Sequence, residues 1–132
     1  MLLEVLIGML LFLIGIMGIM GLQAMAMRNT TDAKYRTEAS YLANQIIGQM
    51  WADASSVGTY AIAANATCPG TPTTNKDRWV CTVKNTLPNA TGANAPTITI
   101  TGTTTVTVII RWQINADDPV HNHTVITDIS PT

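Results

Sequence analysis

The side chains of this chain that could do chemistry are few and widely spaced. Glu4 is the one charged residue among the first 27, and it stands at the edge of a run that stays apolar from Val5 to Met27 apart from Gln23. Holding an ionised carboxylate near so greasy a segment is expensive, on the order of 2.5–3.5 kcal/mol at a bilayer centre. A use for that charge is therefore expected. Cys68 and Cys81 are the two cysteines. They are too far apart for a CxxC redox motif and too few for a structural zinc site without neighbouring histidines. Outside the cytoplasm they predict a disulfide, which would close a loop of about 14 residues and contribute roughly 3 kcal/mol in the chain-entropy model. His121 and His123 would share one face of a strand, with Asp117 and Asp118 nearby, but no third metal ligand is fixed by spacing. A solvated corner is the expected reading there. Asn29, Asn65, Asn89 and Asn122 each begin an N-x-Thr triplet, which chance supplies in a chain this rich in Asn and Thr. There is no G-x-S-x-G, no cysteine with a usable histidine and no Gly-rich phosphate loop. Neither catalysis nor a cofactor is expected.

The elements that must position these residues fall into three segments. The chain has 132 residues, a net charge of −1 and only 11% charged residues. That leaves no basic stripe for nucleic acid. Residues 1–27 form the hydrophobic segment, and Val5–Met27 as a helix would be about 35 Å long, enough to cross a bilayer with some tilt. The run is too long for a signal peptide's apolar core and lacks a basic start. From Met27 the pattern becomes amphipathic. Tyr35, Ala39, Leu42, Ile46 and Met50 fall on one face at helical spacing, so residues 28–54 are read as the second half of one helix running from about Leu2 to Asp53. Residues 55–132 are read as a globular β-sheet domain. Threonine makes up 18 of the last 77 residues, and β-branched side chains favour strands. Strands are expected over Arg78–Lys84, Thr97–Thr101, Thr104–Trp112 and Asn122–Ile129, with Gly102-Thr103 as a hairpin turn and Asn85–Pro96 as a loop. Trp51, Trp79 and Trp112 are expected in the core or at subunit contacts. The fold class is α+β, a long helix laid on a small antiparallel sheet.

Leu3-Glu4-Val5-Leu6-Ile7, the glycine-spaced apolar run, Gly21-Leu22-Gln23-Ala24 and Arg28-Asn29 leading into a long amphipathic helix resemble the type IV pilins, and most closely the PilV-like pilins (type IV pilus modification proteins). The resemblance covers residues 1 to about 53. It implies the ladle-shaped pilin fold and a role as a structural subunit of a type IV pilus or similar filament. It also implies a prepilin peptidase that removes a basic leader and methylates the new N-terminal amine, here that of Met1. Glu4 matches the family's glutamate, though that residue is fifth in the mature family members and Glu4 is fourth. The family's frequent helix proline is absent, and glycines occupy its region.

On this reading Glu4 pairs with the N-terminal ammonium of a neighbouring subunit, since a buried charge is tolerable when paired. Gly15, Gly18 and Gly21 each cost a helix roughly 0.8–1 kcal/mol relative to alanine. They predict either close helix packing or a stretch that melts in the filament, with melting favoured by the resemblance. The partners are then other pilin copies in a helical filament, and the inner membrane before assembly. Arg28, Lys34 and Arg36 follow the apolar run, and the positive-inside rule alone would put the C-terminal part in the cytoplasm. A basic leader removed ahead of Met1 reconciles that with an external disulfide. Two alternatives share much of this pattern: a minor pseudopilin of type II secretion and a single-pass anchored periplasmic binding module.

Overall fold

A computed structural model of the chain describes residues 1–130. The element order is α1 (Leu2–Ala52), a 3₁₀ segment (Ala54–Tyr60), α2 (Asn75–Thr86), a short 3₁₀ turn (Gly92–Asn94), then β1 (Thr97–Thr101), β2 (Thr105–Trp112) and β3 (His121–Asp128). The class is α+β, as the residue patterns predict. The chain divides into two compact units, Met1–Tyr35 and Arg36–Thr132. The division lies eight residues beyond the end of the apolar run, because a helix face starts to bury only where it carries its own packing partners.

The first unit is helix alone. Apart from the partly covered Ile16, its large apolar side chains from Leu2 to Met27 are half or more exposed. Among the described residues, α1 is the one helix long and apolar enough to cross a membrane. At the end of the apolar run, Thr30 and Thr31 turn their hydroxyls back onto the carbonyls of Ala26 and Met27, at 2.8 and 2.9 Å. This satisfies both hydroxyls inside the helix.

The second unit holds the core. Ala39, Leu42, Ala43, Ile46 and Met50 are buried along one face of α1, at the 3–4-residue spacing that keeps a stripe on one side. Ile98 of β1 and Val106, Val108, Ile110 and Trp112 of β2 are buried with them. The sheet is antiparallel in the order β1-β2-β3. Ile62 forms a further bridge to Ile98 on the free side of β1.

Two expectations are corrected. Residues 78–84 are helix, not strand: they lie inside α2, and Trp79, Val80 and Val83 form its buried face. The alternation of Trp79, Cys81 and Val83 imitates a strand over seven residues. The deciding signal is just upstream, where the Thr74 hydroxyl accepts from the Asp77 amide at 3.2 Å and the Asp77 carboxylate accepts from the Thr74 amide at 3.3 Å. This reciprocal cap satisfies two otherwise unpaired donors and nucleates the helix. The indole of Trp79 then donates to the Leu42 carbonyl at 2.8 Å and ties α2 to α1.

The hairpin turn is three residues long, not two. Gly102 takes the left-handed conformation (φ 65°) and Thr101 pairs with Thr105. Directly opposed residues share a face, and the observed register sets Ile98 against Val108 and Ile100 against Val106. A two-residue turn would have set isoleucines against threonines.

Candidate functional site

The residues read as an assembly device lie on α1 or, in the case of Met1, immediately ahead of it. Glu4 is in the first helical turn and exposed. Met1 is fully exposed, and its carbonyl accepts from the Val5 amide at 3.3 Å. Among the described residues, the Glu4 carboxylate has no ion-pair or hydrogen-bond partner. The first basic side chain after it in sequence is Arg28. Helix α1 therefore presents one unpartnered carboxylate flanked by bare apolar side chains.

Helix α1 is continuous through Gly15, Gly18 and Gly21, so in the single chain the stretch is helical. A Cβ built at any of the three meets nothing within 4 Å. Successive residues three apart are displaced by about 60° around a helix. The three glycines therefore spread over roughly a third of the circumference and do not line one seam. That distribution suits a weak point in the helix better than a single close-packing groove. Gly8 and Gly15, seven apart, do share a face, as close-packing glycines would.

The other candidate groups fall in the second unit. Cys68 and Cys81 form a disulfide with their Cα atoms 4.8 Å apart. It fastens the segment before α2 to the middle of that helix. The same segment carries few backbone bonds to the sheet beyond those at Ile62. The bridge thus replaces packing that so short a stretch cannot supply.

His121 and His123 lie on the same face of β3, both half-buried. His121 stacks on the Trp112 indole, with centroids 5.6 Å apart and planes 18° apart. Asp118 is taken up by a turn in which its Oδ2 accepts from the Asn115 amide at 2.7 Å. The four groups are not gathered round a point. Among the described residues no three His, Cys, Asp or Glu side chains converge as a metal site requires.

Trp79 and Trp112 are buried, while Trp51 is about half exposed at 51%. Of the N-x-Thr asparagines, Asn29 is within α1, Asn122 is on β3, and Asn89 donates its side-chain amide to the Gln113 carbonyl at 2.8 Å. Asn65 sits exposed in a left-handed turn (φ 61°). An open cleft is lined by Asp53, Thr59, Tyr60, Thr74, Asn75 and Lys76. Those residues contain no histidine or cysteine to act as base or thiol nucleophile.

No family model, curated protein or solved structure matches this chain.

Proposed function

We propose that this chain is a structural subunit of a type IV pilus or a closely related filament. It is held in the inner membrane by the first half of α1 before assembly and in the filament core afterwards. The observation that supports this reading is the unpartnered Glu4 carboxylate at the start of an exposed apolar helix. A plain anchor accounts for the apolar length but gives the charge no task. In a filament, the N-terminal ammonium of a neighbour supplies the cation, and neighbouring helices supply the cover. The pair gains strength from the low dielectric of such a core. The same removal from water makes a lone carboxylate costly there. Docking is thereby made conditional on correct axial register. Gly15, Gly18 and Gly21 give the helix a place to loosen, and any backbone freed there finds its partners in adjacent subunits.

The test is Glu4→Ala in the producing cell, read in two fractions. Membrane insertion should be unchanged, because the apolar run is intact. Recovery in sheared surface filaments should fall to background. Mass spectrometry of wild-type filaments should find this chain with a methylated N-terminal amine. A wild-type chain that never leaves the membrane fraction would sink the filament reading, and so would an E4A chain that assembles normally.

A further inference from the structure

The outer edge of β3 is an open strand. The Ile129 amide donates to the Thr104 carbonyl at 2.8 Å, and Thr104 and Ile129 continue the β2–β3 register in which Thr105 opposes Asp128. Hydrogen-bonded and non-bonded pairs alternate along an antiparallel ladder. Thr127, Val125, His123 and His121 therefore direct their backbone groups into β2. Asp128, Ile126, Thr124 and Asn122 direct theirs away from the sheet. These four are also the exposed residues of the strand, with Ile126 at 68%. Among the described residues no backbone group pairs with them. The opposite edge of the sheet is treated differently, since β1 is paired at Ile98 by its bridge to Ile62. Over its eight residues β3 has no proline, lysine or arginine, the usual devices that keep an edge from pairing.

We propose that β3 pairs antiparallel with β3 of a second copy of this chain, about a two-fold axis at Val125. Of the registers that align outward groups with outward groups, this one uses all four outward residues of each strand. Asn122 then opposes Asp128, and Thr124 opposes Ile126. The side-chain chemistry agrees. Asp128 already accepts from the Thr105 hydroxyl through Oδ1 at 2.6 Å, leaving Oδ2 to accept from the Asn122 amide of the other copy. The two carboxylates lie at opposite ends of the paired strands, so they do not repel. On the inner face, Val125 meets its own copy and His123 meets Thr127. The result is one continuous six-stranded sheet across two chains. A two-fold contact of this kind lies outside the repeating polar contacts of a helical filament. It stands or falls independently of the filament reading.

Cysteine scanning of the full-length chain in detergent micelles tests the register. Val125→Cys sets two thiols in a non-hydrogen-bonded pair whose Cα atoms are about 4.5 Å apart, within reach of a disulfide. Ile126→Cys sets them diagonally, at about 7–8 Å. Under mild oxidation, V125C should give a dimer band on non-reducing gels at least about tenfold stronger than I126C, given that geometric limit. Adding Ile126→Pro to V125C removes an outward amide and leaves the β2 ladder intact, so the dimer should be lost while the far-ultraviolet spectrum is kept. Equal crosslinking at the two positions overturns the proposal. So does no crosslinking at either, or crosslinking of V125C to a different protein.

Discussion

The two halves of α1 have the same backbone and opposite circumstances. From Leu2 to Met27 the helix is apolar on every side and buries none of it within the chain. From Arg36 to Ala52 it buries one stripe, Ala39, Leu42, Ala43, Ile46 and Met50, and leaves Tyr41 and Trp51 outside. One continuous helix thus contains a half that completes a core and a half whose apolar surface nothing in the described chain covers. Helical geometry is set locally, whereas stability comes from what the side chains touch. The same secondary structure can therefore serve as a domain scaffold at one end and as a docking element at the other.

The strongest way to break this contrast is to truncate one apolar side chain in each half. Ile46→Ala removes a fully buried side chain and should cost about 2–5 kcal/mol, measured by chemical denaturation of the full chain in micelles. Leu10→Ala removes exposed surface and should leave the denaturation midpoint unchanged. Its effect should appear in membrane partition and filament recovery. If Leu10→Ala shifted the midpoint as much as Ile46→Ala, the first half would be part of the folded core and the contrast would be wrong.

Removing the disulfide sharpens the same contrast. Replacing Cys68 and Cys81 by serine together should destabilise the second unit by roughly 3 kcal/mol, the value for closing a loop of about 14 residues. Helicity of residues 2–27 in micelles should be insensitive to it. A reductant should reproduce the double mutant in the wild type and do nothing further in the variant.

A gain in the first half would complement these losses. Converting Gly15, Gly18 and Gly21 to alanine meets no steric obstacle, since nothing lies within 4 Å of any of the three built Cβ positions. The three together should stabilise the helix by about 2–3 kcal/mol, seen as slower amide exchange across that stretch. On the filament reading, the stiffened helix assembles less well. Unchanged assembly would mean that the glycines serve neither loosening nor close packing.

Sequence patterns carried the helix well because its signals are long. An apolar run of more than twenty residues followed by a stripe at Tyr35, Ala39, Leu42, Ile46 and Met50 leaves little room for another reading. The strands of the hairpin were legible for a related reason: Ile98, Ile100, Val106 and Val108 alternate with threonines, and period two is hard to mistake. Where the window was short, alternation misled. Trp79, Cys81 and Val83 satisfy a strand pattern, and they satisfy a helix nearly as well once Val80 joins Trp79 and Val83 on one face. The choice is made by a four-residue cap, Thr74 to Asp77, that lies just upstream of the alternating stretch. The open edge of β3 was not legible at all. Which edge of a sheet stays unpaired depends on strand order, and strand order is a long-range property. Glu4 is the converse case. Its oddity is plain in the sequence, and the structure adds that nothing in the described chain answers it.

The cap at α2 gives the smallest effect and the most specific one. Asp77 is held below the ordinary aspartate pKa, chiefly by its side-chain hydrogen bond with Thr74, helped by the Thr74 backbone amide and by Lys76, and opposed by partial desolvation. A carboxylate depressed in the folded state stabilises that state wherever it is ionised. Its contribution is therefore complete above the unfolded-state pKa and is lost as pH falls through the folded one. The second unit should lose stability on acidification through and below the ordinary carboxylate range, and Asp77→Asn should flatten that part of the profile. Thr74→Ala should cost about 1 kcal/mol at neutral pH, as a lost N-cap does, and should flatten the acid limb as well, because it removes the hydrogen bond that lowers the pKa. Neither substitution should alter the first half of α1. An acid transition that kept its wild-type slope in both variants would place the titrating group elsewhere in the unit, among the remaining carboxylates of the sheet and turns.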